Sequence, residues 1–308
     1  MLQSRQSKIA TFAWGLLTGI LVVLIADFYS DINDFLSIGA SSSAKNDNLN
    51  NRLTTTIETN RPRILCWIMT SPTNLHVKGK AVKETWGKRC DILLFMSSEA
   101  DPDFPAIGLD VGEGRGKLWD KTRAAFKYVY QHHLHDADWF VKADDDTYMI
   151  IENLRYLLSN LDVSRPYFLG RYFVGEGGYN SGGSGYVFSR ETLRKFITAL
   201  GSKFTIRCPK AYYPFEDVAV GRCLKAMHIF PSNTRDLSDR ETFMPFKPKE
   251  HLTRGYPVGA WIHKYSFLRY KDGPECCSDH AISFHYVSPA MMYHLEYMVY
   301  RLKIEREV

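Results

Sequence analysis

The 308-residue chain lacks several signatures that would fix its chemistry at once, and each absence removes a class. Neither Gly-x-Gly-x-x-Gly nor a Walker-type Gly-Lys-Ser/Thr occurs, so dinucleotide and P-loop readings fall away. Its six cysteines include no C-x-x-C pair, which argues against structural zinc. No Asn-x-Ser/Thr acceptor is present, so N-glycosylation is not expected. There is no long Lys/Arg block, and nucleic acid is not an expected partner. The net charge of +5 and pI near 8.7 suit an anionic small ligand as readily as a membrane surface.

Charge is also missing locally. Residues 9–26 form an eighteen-residue run with no charged side chain, preceded by Arg5 and Lys8. The run approaches the length of a bilayer span and exceeds a secretory h-region, so a retained signal anchor is expected. Basic residues on the short side leave residues 1–8 cytosolic and the rest lumenal, a type II topology. Residues 27–60 are polar, rich in Ser, Asn and Thr, and without apolar period, as in a flexible stem. One lumenal domain is then expected over residues 61–308. In an oxidising lumen six cysteines suggest disulfides, although sequence alone leaves the pairing open. Cys66 and Cys90 flank one strand-helix unit, Cys208 and Cys223 flank Glu216-Asp217, and Cys276 and Cys277 are neighbours, which suggests those three pairs.

What is present is an alternation of strand and helix patterns, ILCWIMT, then a helix with Ala81, Val82, Thr85 and Trp86 inward, then ILLFM. That alternation predicts an α/β fold with a mostly parallel sheet. A helix carrying Leu118, Thr122, Ala125, Phe126 and Val129 leads into WFVKADDDTY, and Ile150, Leu154, Leu157, Leu158 and Leu161 recur at helical spacing after it. Asp144, Asp145 and Asp146 therefore sit at the carboxyl end of a strand, where α/β folds bind ligands. Asp144 and Asp146 point the same way and Asp145 elsewhere, the geometry of a D-x-D site for Mg²⁺ or Mn²⁺ and a nucleotide sugar. A solvated acidic turn is the plainer alternative.

Downstream, Ser181-Gly182-Gly183-Ser184-Gly185 permits close backbone approach to a ligand, though most glycines of that loop read as turn formers. Asp217, after Glu216 and before a helix with Val220, Cys223, Leu224 and Met227 on one face, is either an N-cap or a general base. Aromatic residues Trp261, Tyr265, Phe267 and Tyr270 follow, and then a strand pattern over residues 282–287 that holds His285.

The motifs ILCWIMTSP, ETWGKRC, ILLFMSSE, LWDKT, DADWFVKADDDTY, SGGSGYVFS, EDVAVGRC, ETFMPF, GPECCSD and SFHYV occur in one order across residues 63–300. Together they closely resemble the core 1 β1,3-galactosyltransferases, which add galactose to GalNAc on serine or threonine. The resemblance implies a GT-A-like fold, a UDP-galactose donor, GalNAc-bearing glycoprotein acceptors, Mn²⁺ ahead of Mg²⁺, inversion at the transferred sugar, a Golgi membrane location and often a homodimer. It implies that Asp144, Asp146 and His285 hold the metal, and that Thr70, Arg115, Lys121, Asp144 and Asp145 line the donor pocket. Asp217 is the implied base with Glu216 second, and Gly182, Gly183, Trp261 and Tyr265 are the implied acceptor contacts. Two other readings stand beside it, a β1,3-transferase with a different donor or acceptor, and a catalytically silent lumenal chaperone that keeps the fold. An intact metal-binding constellation argues against the second.

Overall fold

Two continuous apolar runs become β1 (Ile64–Met69) and β2 (Ile92–Ser97), paired in parallel as their spacing predicts. In this computed structural model the described residues are 61–201, 208–209, 213–257 and 259–305. The cytosolic tail, anchor and stem expected over residues 1–60 lie outside them. Among the described residues no helix is long and apolar enough to cross a membrane.

With β3 (Ala106–Gly108), β4 (Trp139–Asp144), β6 (Phe168–Gly170) and β9 (Tyr186–Ser189), these strands form a six-stranded mixed sheet in the order β3-β2-β1-β4-β9-β6. Parallel pairing runs from β3 to β4, and β9 is antiparallel to both β4 and β6. The alternation of β1 shows why the sheet needs cover on both faces. Ile64, Cys66 and Ile68 enter one apolar core and Leu65, Trp67 and Met69 the other.

Helices supply that cover. A helical turn at Pro72–Asn74 continues through a π-type stretch, Leu75–Gly79, into α1 (Lys80–Glu84). Ala81, Val82, Thr85 and Trp86 are buried as their spacing predicts. In α2 (Leu118–His133) the stripe Thr122, Ala125, Phe126, Val129 faces the sheet, with the Phe126 ring stacked 4.7 Å from Phe188. The remaining layers are α3 (Ile151–Leu158), α4 (Arg190–Gly201), α5 (Glu216–Lys225) and α8 (Pro289–Tyr300). The segment between α5 and His285 holds two short helices, α6 (Pro248–Leu252) and α7 (Ala260–Tyr265). Met227, expected on the face of α5, lies just beyond its end.

All three suggested disulfides are formed, Cys66 with Cys90, Cys208 with Cys223, and Cys276 with Cys277. The first ties the middle of β1 to the end of the helical segment across a separation of 24 residues. Replacing Cys66 and Cys90 together with Ala is expected to lower unfolding stability by about 2–4 kcal/mol, through the closed loop that the crosslink removes from the unfolded ensemble. Urea titration of the variant checks it, and an unchanged midpoint would contradict it.

Candidate active site

The site grows from the carboxyl end of β4, a central strand held between β1 and β9. The chain turns sharply after Asp144. The Asp144 N–H donates to Thr147 Oγ1 at 3.2 Å, and that hydroxyl donates to the Gly183 carbonyl at 2.7 Å. The expected helix does not follow directly, because a two-residue strand, β5 (Tyr148–Met149), comes first. β5 pairs antiparallel with β11 (Ser283–Phe284), which also pairs with β10 (Phe243–Met244). The predicted strand over residues 282–287 is therefore shorter, and His285 falls one residue past its end. That register sets the site, because antiparallel continuation from Tyr148 and Phe284 carries Asp146 and His285 toward each other. The Val287 N–H donates to the Asp146 carbonyl at 2.8 Å and fixes the crossing.

Ligand atoms of Asp144, Asp146 and His285 consequently lie within 4.8 Å of one another. Both carboxylates are partly exposed, at 28% and 25% of the side chain. Two carboxylates and one imidazole form a donor set that fits Mn²⁺, leaving room for water and phosphate oxygens. Burial alone would raise the Asp146 carboxyl, but His285 at 3.3 Å, with Lys78 and Lys142, holds it below its ordinary value. Asp145 turns the other way, as expected. Its Oδ2 accepts from Thr70 at 2.8 Å, and burial pushes its carboxyl up.

His251, Cys276 and Cys277 form a second grouping of possible ligands, but the disulfide takes both sulfurs.

The acidic pair Glu216-Asp217 stands beside Gly182 and Lys142. Phe215 is the N-cap of α5 and no side chain caps it, so Asp217 is not the cap. Instead Asp217 Oδ2 accepts from the Gly182 N–H at 3.0 Å and Oδ1 from the Val218 N–H at 2.9 Å. Burial raises its carboxyl despite those two donors. Glu216 is buried, with Oε1 accepting from Thr122 at 3.0 Å and from Tyr186 at 2.7 Å, and burial likewise raises it. These engagements leave Asp217 the better placed base of the two.

Gly182 and Gly183 are spacers, and neither is needed for a left-handed turn. A Cβ on Gly182 would approach Glu216 Oε2 to 2.8 Å, and one on Gly183 would lie 2.0–2.5 Å from the His285 ring. Gly183→Ala is therefore expected to push the imidazole off Asp146 and weaken Mn²⁺ affinity roughly 10–100-fold, the scale of lost ligand support. Manganese titration followed by electron paramagnetic resonance checks this, and wild-type affinity would contradict it.

Sequence reasoning missed the cation that links the two halves. Lys142, 2% exposed, donates from Nζ to Asp144 at 2.6 Å and to the Gly182 carbonyl at 3.1 Å, and lies 3.8 Å from Glu216. Burial alone would lower it, but Asp144 and Glu216 raise it above the ordinary ammonium value. The signal was available, since position 142 shares a strand face with position 144.

Of the expected donor residues, Thr70 and Lys121 are adjacent, with Lys121 Nζ donating to the Thr70 carbonyl at 2.9 Å and to Glu113 at 2.6 Å. Arg115 is exposed on its loop, within electrostatic reach of Tyr286 beside the metal-site histidine. On the acceptor side Trp261 and Tyr265 share a face of α7, four residues apart. Trp261 packs edge-on against Phe173 and Phe246. Tyr265 and Tyr179 pack against the same small apolar cluster of Phe173, Ile262 and Tyr270, and the Tyr179 phenol is raised by burial and then by Asp217 and Tyr265.

The Fringe-like family model matches residues 63–288. The chain is 48% identical over 245 residues to the glycoprotein-N-acetylgalactosamine 3-beta-galactosyltransferase 1 of Xenopus laevis, covering 78% of this chain and 67% of that one. It is 31% identical over 189 residues to the beta-1,3-glucosyltransferase of Mus musculus, covering 60% of this chain and 37% of that one. A glycosyltransferase involved in the glycosylation of the major capsid of PBCV-1 superposes with a TM-score of 0.43 at 17% identity, over 77% of this chain and 100% of that one.

Proposed function

The chain belongs to the Fringe-like family and is a glycosyltransferase, and from that premise we propose that it moves galactose from UDP-galactose in β1,3 linkage onto GalNAc-O-Ser/Thr of glycoproteins. The observation that carries this reading is the convergence of Asp144, Asp146 and His285 at Gly183 with Asp217 held at the adjacent Gly182. The name and 48% identity of the frog relative support the choice of sugar and acceptor.

On this reading Asp144, Asp146 and His285 would hold Mn²⁺. When bound there, the ion supplies positive charge against the charge that builds on the departing UDP. Thr70 and Lys121 line the donor side, and Arg115 adds a cation from its loop. Asp217 takes the proton from the acceptor hydroxyl as its oxygen attacks the anomeric carbon from the opposite face. One displacement inverts that carbon, so an α-linked donor gives a β-linked product. Trp261 and Tyr265 offer apolar ring faces to the acceptor sugar. Lys142 keeps Asp144 and the Gly182 carbonyl in register between the two halves. The GT-A-like arrangement of these parts belongs to the same reading.

The reading also places residues 9–26 as a signal anchor in the Golgi membrane with residues 61–308 in the lumen. It is supported by the uncharged run behind Arg5 and Lys8 and by three disulfides, which persist in oxidising compartments. Pairing of two copies, implied by the resemblance, is checked by sedimentation. Because the mouse relative is named a glucosyltransferase, the decisive experiment offers the chain a panel of UDP-sugars with Mn²⁺ and a GalNAc-peptide. Selective consumption of UDP-galactose is expected, and preference for another donor would overturn the assignment.

A further inference from the structure

A cavity of about 280 Å³ lies under the acceptor wall, floored by Arg171, His251, Tyr270 and Cys276 and rimmed by Arg269 and Lys271. Its charge is unbalanced. Arg171 pairs through Nη1 with Glu241, and the same carboxylate receives Arg235 Nε at 2.9 Å. Among the lining residues three cations, Arg171, Arg269 and Lys271, thus face two carboxylates, Glu241 and the exposed rim residue Asp239, and Glu241 is shared with Arg235 behind the wall. Neither Arg269 nor Lys271 is held in an ion pair among the described residues.

The buried floor offers donors whose partners are missing. Arg171 is 2% exposed, and although Nη2 donates to Ser266 at 2.9 Å, its Nε–H has no partner. His251 is buried and neutral, its imidazole lowered to about 3 by burial and by Arg171. Its Nε2 accepts from the Phe246 N–H at 3.2 Å, so the ring proton sits on Nδ1 and faces the Tyr270 hydroxyl at 3.3 Å. The Tyr270 oxygen is then the acceptor, and its own hydrogen is free to donate. A site with unused donors, a consumed internal carboxylate and excess positive charge fits an oxyanion.

Its position says which one. Ser266, which holds Arg171, directly follows Tyr265, and the Phe173 ring lies 5.6 Å from the Arg171 guanidinium and 5.5 Å from Trp261. Arg171, in the cavity floor, thus links the cavity through Ser266 and Phe173 to the aromatic acceptor wall.

We propose that this cavity is a subsite for a carboxylate of the acceptor polypeptide, an Asp or Glu side chain near the glycosylated Ser or Thr. The inference rests on the acceptor reading above and adds a charge preference to it. The test compares GalNAc-peptides in which one Glu, or Gln in its place, is scanned through the positions flanking the glycosylated Thr. For wild type, kcat/KM is expected to favour Glu over Gln about tenfold at one position, mainly through KM, and less so at high salt. In Arg269→Ala/Lys271→Ala, whose exposed substitutions leave the buried floor intact, the ratio should fall to about one while the Gln peptide is turned over as before. Equal rates for Glu and Gln peptides at every position, or a preference that survives in the double variant, would overturn the subsite. Failure of every GalNAc-peptide to accept galactose would instead overturn the acceptor assignment itself, and the subsite with it.

Discussion

Asp217→Asn is expected to lower kcat by roughly two to four orders of magnitude while leaving UDP and Mn²⁺ binding intact. An amide cannot take the proton of the attacking hydroxyl, and Asp217 is not among the three residues whose ligand atoms converge at the metal site. The substitution also has a structural cost. Asp217 accepts from the N–H groups of both Gly182 and Val218, and an amide can accept from only one, a loss of about 1 kcal/mol. Relief of the burial that raises this carboxyl offsets part of that. The melting temperature should therefore move little while turnover collapses. The pH profile carries the same signature with its sign fixed. The base works ionised and its carboxyl sits above the ordinary aspartate value, so activity should be lost as pH falls through that raised value, and the acidic limb should vanish in Asp217→Asn. Near wild-type turnover in the folded variant would move the role to Glu216.

Asp146→Ala should reduce transfer to background and abolish metal-dependent UDP binding without unfolding the chain. Its side chain is partly exposed, and the backbone contact that fixes the loop, from Val287 N–H to the Asp146 carbonyl, does not need the carboxylate. Removing the metal from wild type with a chelator should reproduce the loss, and added Mn²⁺ should restore wild type but not the variant. Calorimetric titration of UDP with and without Mn²⁺ checks both arms. Undiminished activity of Asp146→Ala in chelated buffer would remove the metal assignment.

These expectations could be framed from sequence because part of the site is written locally. Trp139, Phe140 and Val141 read as a buried strand, the Asp triplet as a charged turn, and Glu216-Asp217 as a helix start; the strand runs on to include Asp144, and the others keep their place in the fold. The convergence was not legible in the same way. His285 reaches Asp146 because β5 pairs with β11, and strands of two residues each have no period to detect. The alternation around His285 suggested a longer strand, but Tyr286 adopts a positive φ of 55° and ends it. Lys142 was overlooked for another reason. A lysine in an apolar strand reads as an edge or solvent position, and only the assembled site, with Asp144 and Glu216 around it, explains why burial is tolerated. Gly182 and Gly183 read as points of close approach to a ligand, whereas in the fold their small size also leaves room for the Glu216 carboxylate and the His285 ring. The cavity floored by Arg171 and His251 gathers residues from widely separated segments, and no local pattern announces it.

The most direct test of the account is the structure of the product. UDP-galactose, Mn²⁺ and a GalNAc-peptide are incubated with the wild-type protein, and the disaccharide is analysed by NMR for anomeric configuration and linkage. Inverting transfer with Asp217 as base predicts a β-linked galactose, and the proposed β1,3 function, supported by the frog relative, predicts that it is joined to O3 of GalNAc. An α-linked product, or galactose attached at another hydroxyl, would contradict it.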